Sequence, residues 1–402
     1  MTVAIEYNHW KTANLGDVID LFDHKRIPLN SRERQARKGQ YPYYGAQGVI
    51  DHIDGYIFDG RYILVAEDGE NLNSKKLPLA LFADGKFWVN NHAHILRAKP
   101  DVADDTFLLA CLNNANIKPF VTGAAQPKLS QANLRLIEIP LPPLPTQCRI
   151  ANVLSAYDEL IENNQRRIRI LEDMARSLYR EWFVHFRYPG HESVPLTESS
   201  LGQIPQGWEV KRIMEFGKVI TGKTPSKANS DFYGDDVPFV KTPDMHGNMF
   251  ILAAGECLSF AGADSQANKL IPAGSICVSC IGTIGVVSIM TEDSQTNQQI
   301  NSIVLAKEQF REFLFFRLQD AKRALENLGA NGATMGNVNK SKFESVEVIT
   351  PPSKLLERYH QFSASLLSEI LILSRQTANL RRTRDLLLPR LLSGQIFLVK
   401  ST

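Results

Sequence analysis

The chain of 402 residues repeats itself, and this internal duplication constrains its fold more than any other feature. Residues 123–152 align without a gap with residues 332–361, so that each position meets a counterpart 209 residues later. A double proline at 142–143 falls on a second double proline at 351–352, and a strand-like alternation of apolar residues before it stays in phase. A repeat of this length predicts two copies of one structural unit.

The same offset continues into two long helical segments. In the first, residues at alternating spacings of three and four form a heptad seam from Leu154 to Trp182, which is typical of a coiled coil. Its counterpart runs from Ser363 to Leu391, where six of the nine seam positions are apolar. One such seam also fits an ordinary bundle helix. Two matched seams, each after a matched globular segment, favour pairing of the two helices with each other.

Short β-rich runs separated by Gly, Asp and Asn turns precede each helix, which predicts globular domains of the mixed α/β (α+β) class. Looser matches join 41–44 with 237–240, 62–66 with 275–279 and 90–95 with 297–302. Antiparallel helices would then place two similar domains at opposite ends of a two-helix coiled coil. A chain built in this way imitates a twofold dimer, the symmetry that matches duplex DNA.

The predicted boundaries follow this alternation of globular and helical segments. They are a first globular domain over 1–145, a central helical region over 146–195, a second globular domain over 196–350 and a C-terminal helical region over 351–402.

Composition narrows the classes of function. Lys and Arg number 45 against 43 Asp and Glu, so a formal charge of +2 argues against binding nucleic acid by bulk charge and leaves local basic surfaces open. No segment approaches the about 18 apolar residues of a membrane span, and the first residues lack a signal-peptide pattern. With five sparse cysteines, we expect a reduced, cytoplasmic protein that does not bind membranes.

These features together resemble the specificity (S) subunits of type I restriction–modification systems, over nearly the whole chain. Besides the paired globular and helical segments, the resemblance rests on a proline-rich helix start and on Tyr-, Gly- and Asp-rich loop patterns. These patterns occupy residues 41–46, 54–60, 67–69, 139–145, 207–210 and 221–225.

The resemblance implies a non-catalytic subunit whose two target-recognition domains read a bipartite, asymmetric site on double-stranded DNA. It also implies that the chain recruits two modification (methyltransferase) subunits and, through them, restriction subunits. The complex would then have DNA adenine methyltransferase and ATP-dependent endonuclease activity. The chain itself is expected to hold no catalytic residue, cofactor or metal.

Two other functions stay open on the sequence. Residues 217–224 formally match the phosphate-binding loop of nucleotide-binding proteins, although no apolar helical face follows Thr224. A coiled-coil scaffold that does not contact DNA also fits the duplicated helices. Cys277 and Cys280 form a lone Cys-x-x-Cys pair without suitably spaced further ligands, so we predict core cysteines rather than a zinc site.

Residue type and loop context select the candidates for DNA contact. Arg and Lys read guanine, Asn and Gln read adenine, and Lys, Ser, Thr and backbone amides bind phosphates. In the first domain the candidates are Tyr43, Tyr44, Ser74, Lys75, Lys76, His92 and Lys128. In the second domain they are Lys223, Thr224, Lys227, Lys241, Thr283, Gln298 and Asn339. A structural role is the alternative for each of them, and especially for His92 and Gln298.

Overall fold

The computed structural model describes residues 10–123, 125–330 and 336–396 and confirms the mixed α/β class. The helices are α1 (Leu15–Val18), α2 (Ser31–Ala36), α3 (Asn71–Ser74), α4 (Asp105–Asn114), α5 (Gln131–Arg135), α6 (Leu144–Tyr179), α7 (Thr242–Met245), α8 (Phe260–Asp264), α9 (Arg311–Asp320), α10 (Lys322–Gly329), α11 (Lys340–Glu344) and α12 (Ser353–Leu392). The strands are β1 (Thr12–Asn14), β2 (Ile19–Leu21), β3 (Lys38–Gly45), β4 (Gly48–Ile53), β5 (Phe58–Asp59), β6 (Tyr62–Ala66), β7 (Ala80–Ala83), β8 (Lys86–Val89), β9 (Ala93–Ala98), β10 (Glu138–Pro140), β11 (Leu196–Ser199), β12 (Gly202–Pro205), β13 (Glu209–Arg212), β14 (Gly217–Thr221), β15 (Tyr233–Gly234), β16 (Val237–Val240), β17 (Phe250–Ile251), β18 (Cys257–Leu258), β19 (Ile276–Ser279), β20 (Val287–Met290), β21 (Gln295–Thr296), β22 (Ile300–Leu305) and β23 (Glu347–Thr350).

The chain divides into two compact units. Unit 1 consists of the described residues of Met1–Ile161 and Asn379–Thr402, and unit 2 is Glu162–Ala378. Both boundaries fall inside the long helices α6 and α12. The units therefore cut the helices in the middle, whereas the boundaries predicted from the sequence follow the change from globular to helical composition.

Unit 1 is built around the sheet β2-β9-β6-β7, with the smaller sheets β4-β3-β8-β5 and β1-β10. Every residue of β6 is buried because both faces of this strand are covered. Ile63 and Val65 pack in one core with Phe107 of α4, and Leu64 packs in a second core with Phe87 of β8.

Unit 2 is built around the sheet β14-β22-β19-β20-β17, with β15-β18-β16-β21, β11-β12 and β13-β23 as smaller sheets. Its central strand β19 is also buried throughout, with Val278 packed near Phe313 of α9 and Cys277 near Ile300. Burial raises the pKa of Cys277 to about 12 and that of Cys280 to about 11. The prediction of core cysteines at these two positions is confirmed.

The duplication seen in the sequence is repeated strand by strand. The order β2-β9-β6-β7 in unit 1 corresponds to β14-β22-β19-β20 in unit 2, and β1-β10 corresponds to β13-β23. The parallel pair β3 and β8 corresponds to the parallel pair β16 and β21. The looser matches predicted from the sequence stay in phase, since Ala66 pairs with Ala93 as Ser279 pairs with Ile300.

The long helices run antiparallel within each unit. In unit 2, Arg167 of α6 pairs with Glu369 of α12 at 2.8 Å, and further along α6 the ring of Trp182 lies 5.7 Å from that of Tyr359. In unit 1, Asp158 pairs with Arg384 at 2.5 Å. None of the predicted seam positions is exposed, so the heptad interpretation of both helices is confirmed.

The end of α6 departs from regular helix geometry. Residues Arg180–Val184 form a π-helical turn, in which the amide of His185 donates to the carbonyl of Arg180, five residues earlier. The neighbouring side chains of Trp182 and Phe183 in this turn both pack into the core of unit 2.

Among the helices of the described residues, none is both long and apolar enough to cross a membrane.

Candidate nucleic-acid interface

In unit 1, three loops meet where β6 ends and β9 begins. We call these loops edge 1, and they are residues 67–69, 90–92 and 127–129. The amide of Glu67 donates to the carbonyl of His92 at 2.9 Å, and the amide of Leu129 donates to the carbonyl of Glu67 at 2.8 Å. The side chain of Asn90 closes the turn by accepting from the amide of His92 at 2.8 Å. Edge 1 is therefore a frame held largely by main-chain hydrogen bonds.

Unit 2 has the same frame at the equivalent place. Its loops, edge 2, are residues 222–224, 280–282, 297–299 and 336–338. The amide of Cys280 donates to the carbonyl of Gln299 at 2.7 Å, and the amide of Val338 donates to the carbonyl of Cys280 at 2.9 Å. Asn297 accepts from the amide of Gln299 at 3.1 Å, as Asn90 does from His92. The duplication thus holds at the level of single hydrogen bonds.

A surface cavity of about 620 Å³ lies at edge 1. Three residues predicted from the sequence, Ser74, Lys76 and His92, line this cavity together. Gln47 also lines it, and sequence reasoning missed this amide although it follows the predicted tyrosine strand in a polar turn. The cavity therefore gathers hydroxyl, ammonium, imidazole and amide groups, which bind bases and phosphates, together with the carboxylates of Asp68 and Glu70.

Two side chains at edge 1, those of His92 and Lys128, are paired with carboxylates. Nδ1 of His92 lies 2.6 Å from a carboxylate oxygen of Asp68, and Nζ of Lys128 lies 3.3 Å from Glu67. The side chains of His92 and Lys128 remain about half exposed, at 47% and 55%. The carboxylates orient these groups without removing them from the surface.

The remaining candidates of unit 1 point elsewhere. Tyr43 is fully buried and its hydroxyl accepts from the amide of Leu29 at 2.9 Å, so its assignment to DNA contact is withdrawn. Tyr44 is half-buried, with its ring edge-on to Phe87 at 5.5 Å. Nζ of Lys75 donates to the carbonyl of Ala115 at 2.7 Å, because its left-handed backbone turns the side chain away.

At edge 2 the structure brings together Lys223, Thr224 and Gln298. Oγ1 of Thr224 donates to Oε1 of Gln298 at 2.6 Å, and Lys223, which precedes Thr224 in the chain, is exposed. Gln299 belongs to the same group and was missed by sequence reasoning. The sequence could have indicated Gln299 through its equivalence with His92, because these two residues directly precede the equivalent strands β22 and β9.

The other candidates of unit 2 vary in availability. Lys227 and Thr283 are exposed, in the loops after β14 and β19 respectively. Lys241 forms an ion pair with Glu256, and this hydrogen-bonded ammonium holds the pKa of Glu256 below its ordinary value. Asn339 caps helix α11, where its side chain accepts from the amide of Lys342 at 3.0 Å.

The segment that matches a phosphate-binding loop has a different structure here. Residues Gly217–Thr221 are strand β14, and the first helical turn after them is the 3-10 turn Ser230–Phe232. A phosphate-binding loop instead leads directly into a helix whose first amides face the phosphates. A Cβ on Gly222 would lie 2.1 Å from the carbonyl oxygen of Asn297, so this glycine is explained by close packing.

One buried polar group of unit 1 has the composition of a metal site. Ligand atoms of Asp23, Glu67 and His94 lie within 4.8 Å of one another. However, Arg26 donates to Glu67 at 2.6 Å and lies 3.4 Å from Asp23, which already supplies the positive charge. Nε2 of His94 donates to the carbonyl of Leu129 at 2.8 Å. These residues therefore fit a structural network rather than a metal site.

The equivalent residue of unit 2 explains this network. Asn301 donates from Nδ2 to the carbonyl of Val338 at 3.2 Å, as His94 does to Leu129. In both units a buried side chain on the second residue of the strand thus ties the strand to the last loop of the edge.

We expect His94→Leu to destabilise unit 1 by about 1–3 kcal/mol, because the carbonyl of Leu129 and the carboxylate of Asp23 each lose a hydrogen-bond donor. His94→Gln is the matched control, since its amide still reaches Leu129, and we expect a smaller loss. Urea unfolding measures the overall stability of both variants, and hydrogen exchange at the amides of Lys128 and Leu129 measures the local effect. Equal stability of His94→Leu and the wild type would contradict this role.

The pKa of Asp23 gives the same network a pH dependence. Burial raises this pKa, but the hydrogen bond and charge of His94, the amide of Ile95 and the charge of Arg26 outweigh burial and lower it overall. The ionised carboxylate of Asp23 therefore stabilises folded unit 1 at pH values above the pKa of an unfolded aspartate, about 3.9. This stabilisation is lost as the pH falls through the lower pKa that Asp23 has in the folded protein.

Comparison with known proteins agrees with this geometry. The family model "Type I restriction modification DNA specificity domain" matches residues 7–173 and again residues 205–362, once for each copy of the duplication. The type I restriction enzyme HindI specificity subunit of Haemophilus influenzae is 34% identical over 327 residues, which cover 67% of this chain and 71% of that protein. The putative type I restriction enzyme MjaX specificity subunit of Methanocaldococcus jannaschii is 24% identical over 415 residues, covering 96% and 93%.

A solved structure has the same fold. The S subunit of a type I restriction–modification system from M. genitalium superposes with a TM-score of 0.67 at 14% identity, over all of both chains. Because the family model matches twice and covers most of the sequence, the chain belongs to the DNA specificity subunits of type I restriction–modification systems.

Proposed function

We propose that this specificity subunit reads a bipartite, asymmetric site on double-stranded DNA, with edge 1 on one half and edge 2 on the other. The observation that carries the proposal is that the two edges share one hydrogen-bonded frame but display different side chains. Edge 1 displays His92 and Lys128, whereas edge 2 displays Lys223, Thr224 and Gln298. Equivalent frames with different donors and acceptors suit two different base sequences.

The exposed lysines supply the part of the affinity that does not depend on sequence. Lys76, Lys128, Lys223 and Lys227 all stand exposed at or beside the edges. Each one that neutralises a phosphate releases counterions, so binding weakens steeply as salt rises. Because the net charge of the chain is only +2, this attraction depends on local basic surfaces such as these lysines.

In this proposal the chain itself is not an enzyme. It recruits two modification subunits, one for each copy of the duplicated segments, and restriction subunits through them. Adenine methylation and ATP-dependent cleavage would then come from those partners, in the cytoplasm. A scaffold without DNA contact is the competing function, and the experiment below separates the two.

Footprinting of the complex with its modification subunits tests the proposal. We expect two short protected patches on one duplex, whose sequence comes from mapping the methylated sites in cells that express the complex. Scrambling one half of the site is the control and should abolish protection of both patches at limiting protein. A single patch, or uniform protection, would rule out two separate readers.

The long helices lead to a separate prediction, because α6 and α12 both run from one unit into the other. Removing one heptad from α6 near Ile161 and one from α12 near Ala378 shortens each helix by about 10 Å. We expect the gap between the half-sites to shrink by about three base pairs, at roughly 3.4 Å each, while both half-sequences stay the same.

Methylation mapping measures the gap. Removal from α6 alone is the control, since it leaves the two helices unequal in length by one heptad and should abolish binding. Full binding with an unchanged gap after the double removal would show that the helices do not set the spacing.

A further inference from the structure

We infer that Gln298 reads a guanine in the half-site of edge 2, because Thr224 fixes its amide with the oxygen turned inward and the NH2 group turned outward. This inference rests on the proposed function and adds to it the class of base that is read.

The orientation of Gln298 is set by one short hydrogen bond. Oγ1 of Thr224 donates to Oε1 of Gln298 at 2.6 Å, so this oxygen faces the loop of Thr224. Among the described residues 10–123, 125–330 and 336–396, no group accepts a hydrogen bond from Nε2 of Gln298. The exposed Gln298 therefore offers hydrogen-bond donors to a ligand.

The loop that carries Thr224 is itself held by hydrogen bonds to the main-chain groups of Lys223. The amide of Lys223 donates to the carbonyl of Thr296 at 2.9 Å. The carbonyl of Lys223 accepts a hydrogen bond from Nε2 of Gln266 at 2.8 Å, and Gln266 is only 4% exposed. Because buried groups hold both sides of this peptide, the hydroxyl of Thr224 reaches Gln298 from a rigid position.

The next residue repeats the arrangement. Oε1 of Gln299 accepts from Nδ2 of Asn297 at 3.0 Å and from Oγ1 of Thr242 at 3.4 Å. Asn297 and Thr242 are both buried. Two adjacent glutamines thus have their oxygens engaged within the protein, and edge 2 is rich in donors at this point.

A surface rich in donors discriminates between the purines. In the major groove guanine presents two acceptors, O6 and N7, whereas adenine presents one acceptor, N7, and the donor N6. A freely turning glutamine reads adenine by accepting from N6 and donating to N7. The hydrogen bond from Thr224 favours the orientation of Gln298 in which Nε2 faces outward, and in this orientation the NH2 group offers donors to both acceptors of guanine.

The variant Thr224→Val tests this inference in the complex with its modification subunits. It removes the hydroxyl at nearly constant size, so the amide of Gln298 is free to turn. We expect adenine to be accepted at one position of the half-site of edge 2, with the preference for guanine over adenine falling about tenfold or more. Thr224→Ser keeps the hydroxyl and is the matched control, for which we expect the wild-type preference.

Binding to duplexes with guanine, adenine or 7-deazaguanine at each position of that half-site measures the preference. Gln298→Ala leaves the loop of Thr224 intact and should remove the preference even if Thr224→Val folds poorly. In the same measurement, wild-type recognition of the half-site of edge 1 shows that the variant is folded.

The outcomes separate this inference from the function on which it rests. If the wild-type complex recognises no two-part site, the proposed function itself fails. If it recognises a two-part site whose edge 2 half contains no guanine, or if Thr224→Val and Gln298→Ala both keep the wild-type preference, only the inference about Gln298 is overturned.

Discussion

Replacing Gly222 by alanine is expected to abolish recognition of the half-site of edge 2. The added Cβ would lie 2.1 Å from the carbonyl oxygen of Asn297 and 2.3 Å from that of Thr296. Both contacts are with backbone, so the loops 222–224 and 297–299 must move apart, and Thr224 loses its hold on Gln298. Overpacking of this kind costs about 1–3 kcal/mol.

Two measurements on the Gly222→Ala variant check this prediction, namely binding of the bipartite site and the urea midpoint of unfolding. Gly255→Ala is the matched control in the same unit, because a Cβ there meets its nearest atom, on Asp244, at an ordinary 3.4 Å. Wild-type binding by Gly222→Ala would show that the loops at edge 2 have room that the structure does not display.

Replacing Phe183 by alanine is expected to give the largest loss of stability, about 3–5 kcal/mol in unit 2. The ring of Phe183 lies edge-on to Tyr359 at 4.7 Å and to Phe313 at 4.9 Å, and it also contacts Trp208 at 6.0 Å. It thus joins α6, α9 and α12 in one core, and edge-on aromatic pairs add to the free energy of burial.

Denaturant unfolding followed by the fluorescence of the buried tryptophans measures this effect. Val184→Ala lies in the same π-helical turn, at a side chain that is 42% exposed, and should change stability by less than about 0.5 kcal/mol. If the two variants were equally stable, Phe183 would not be the side chain that joins these helices.

The sequence predicts those parts of this molecule that depend on periodicity. The offset between the copies and the heptad spacing come from residues that repeat, so Leu154, Ile370 and the other seam positions were predictable without a structure. The core cysteines were predictable in the same way, because Cys277 lies in a continuous apolar run.

Side-chain availability at the edges was not predictable, because it depends on partners that are distant in the sequence. Tyr43 and Tyr44 look alike in the sequence, but alternation along β3 buries the first completely and leaves the second half-exposed. Lys241 has no local sign of its ion pair, since Glu256 lies on a different loop. Gln299 can be recognised as a candidate for DNA contact only once its equivalence with His92 is known.

The frame shared by the two edges has an evolutionary consequence. Its hydrogen bonds join mainly main-chain groups, such as the amide of Val338 and the carbonyl of Cys280, which every residue except proline can supply. Point mutations at exposed positions such as 92 and 298 therefore leave the scaffold intact. A lineage of such proteins can acquire a new target by changing a few codons, and a library randomised at these positions should yield folded variants with altered methylation motifs at high frequency.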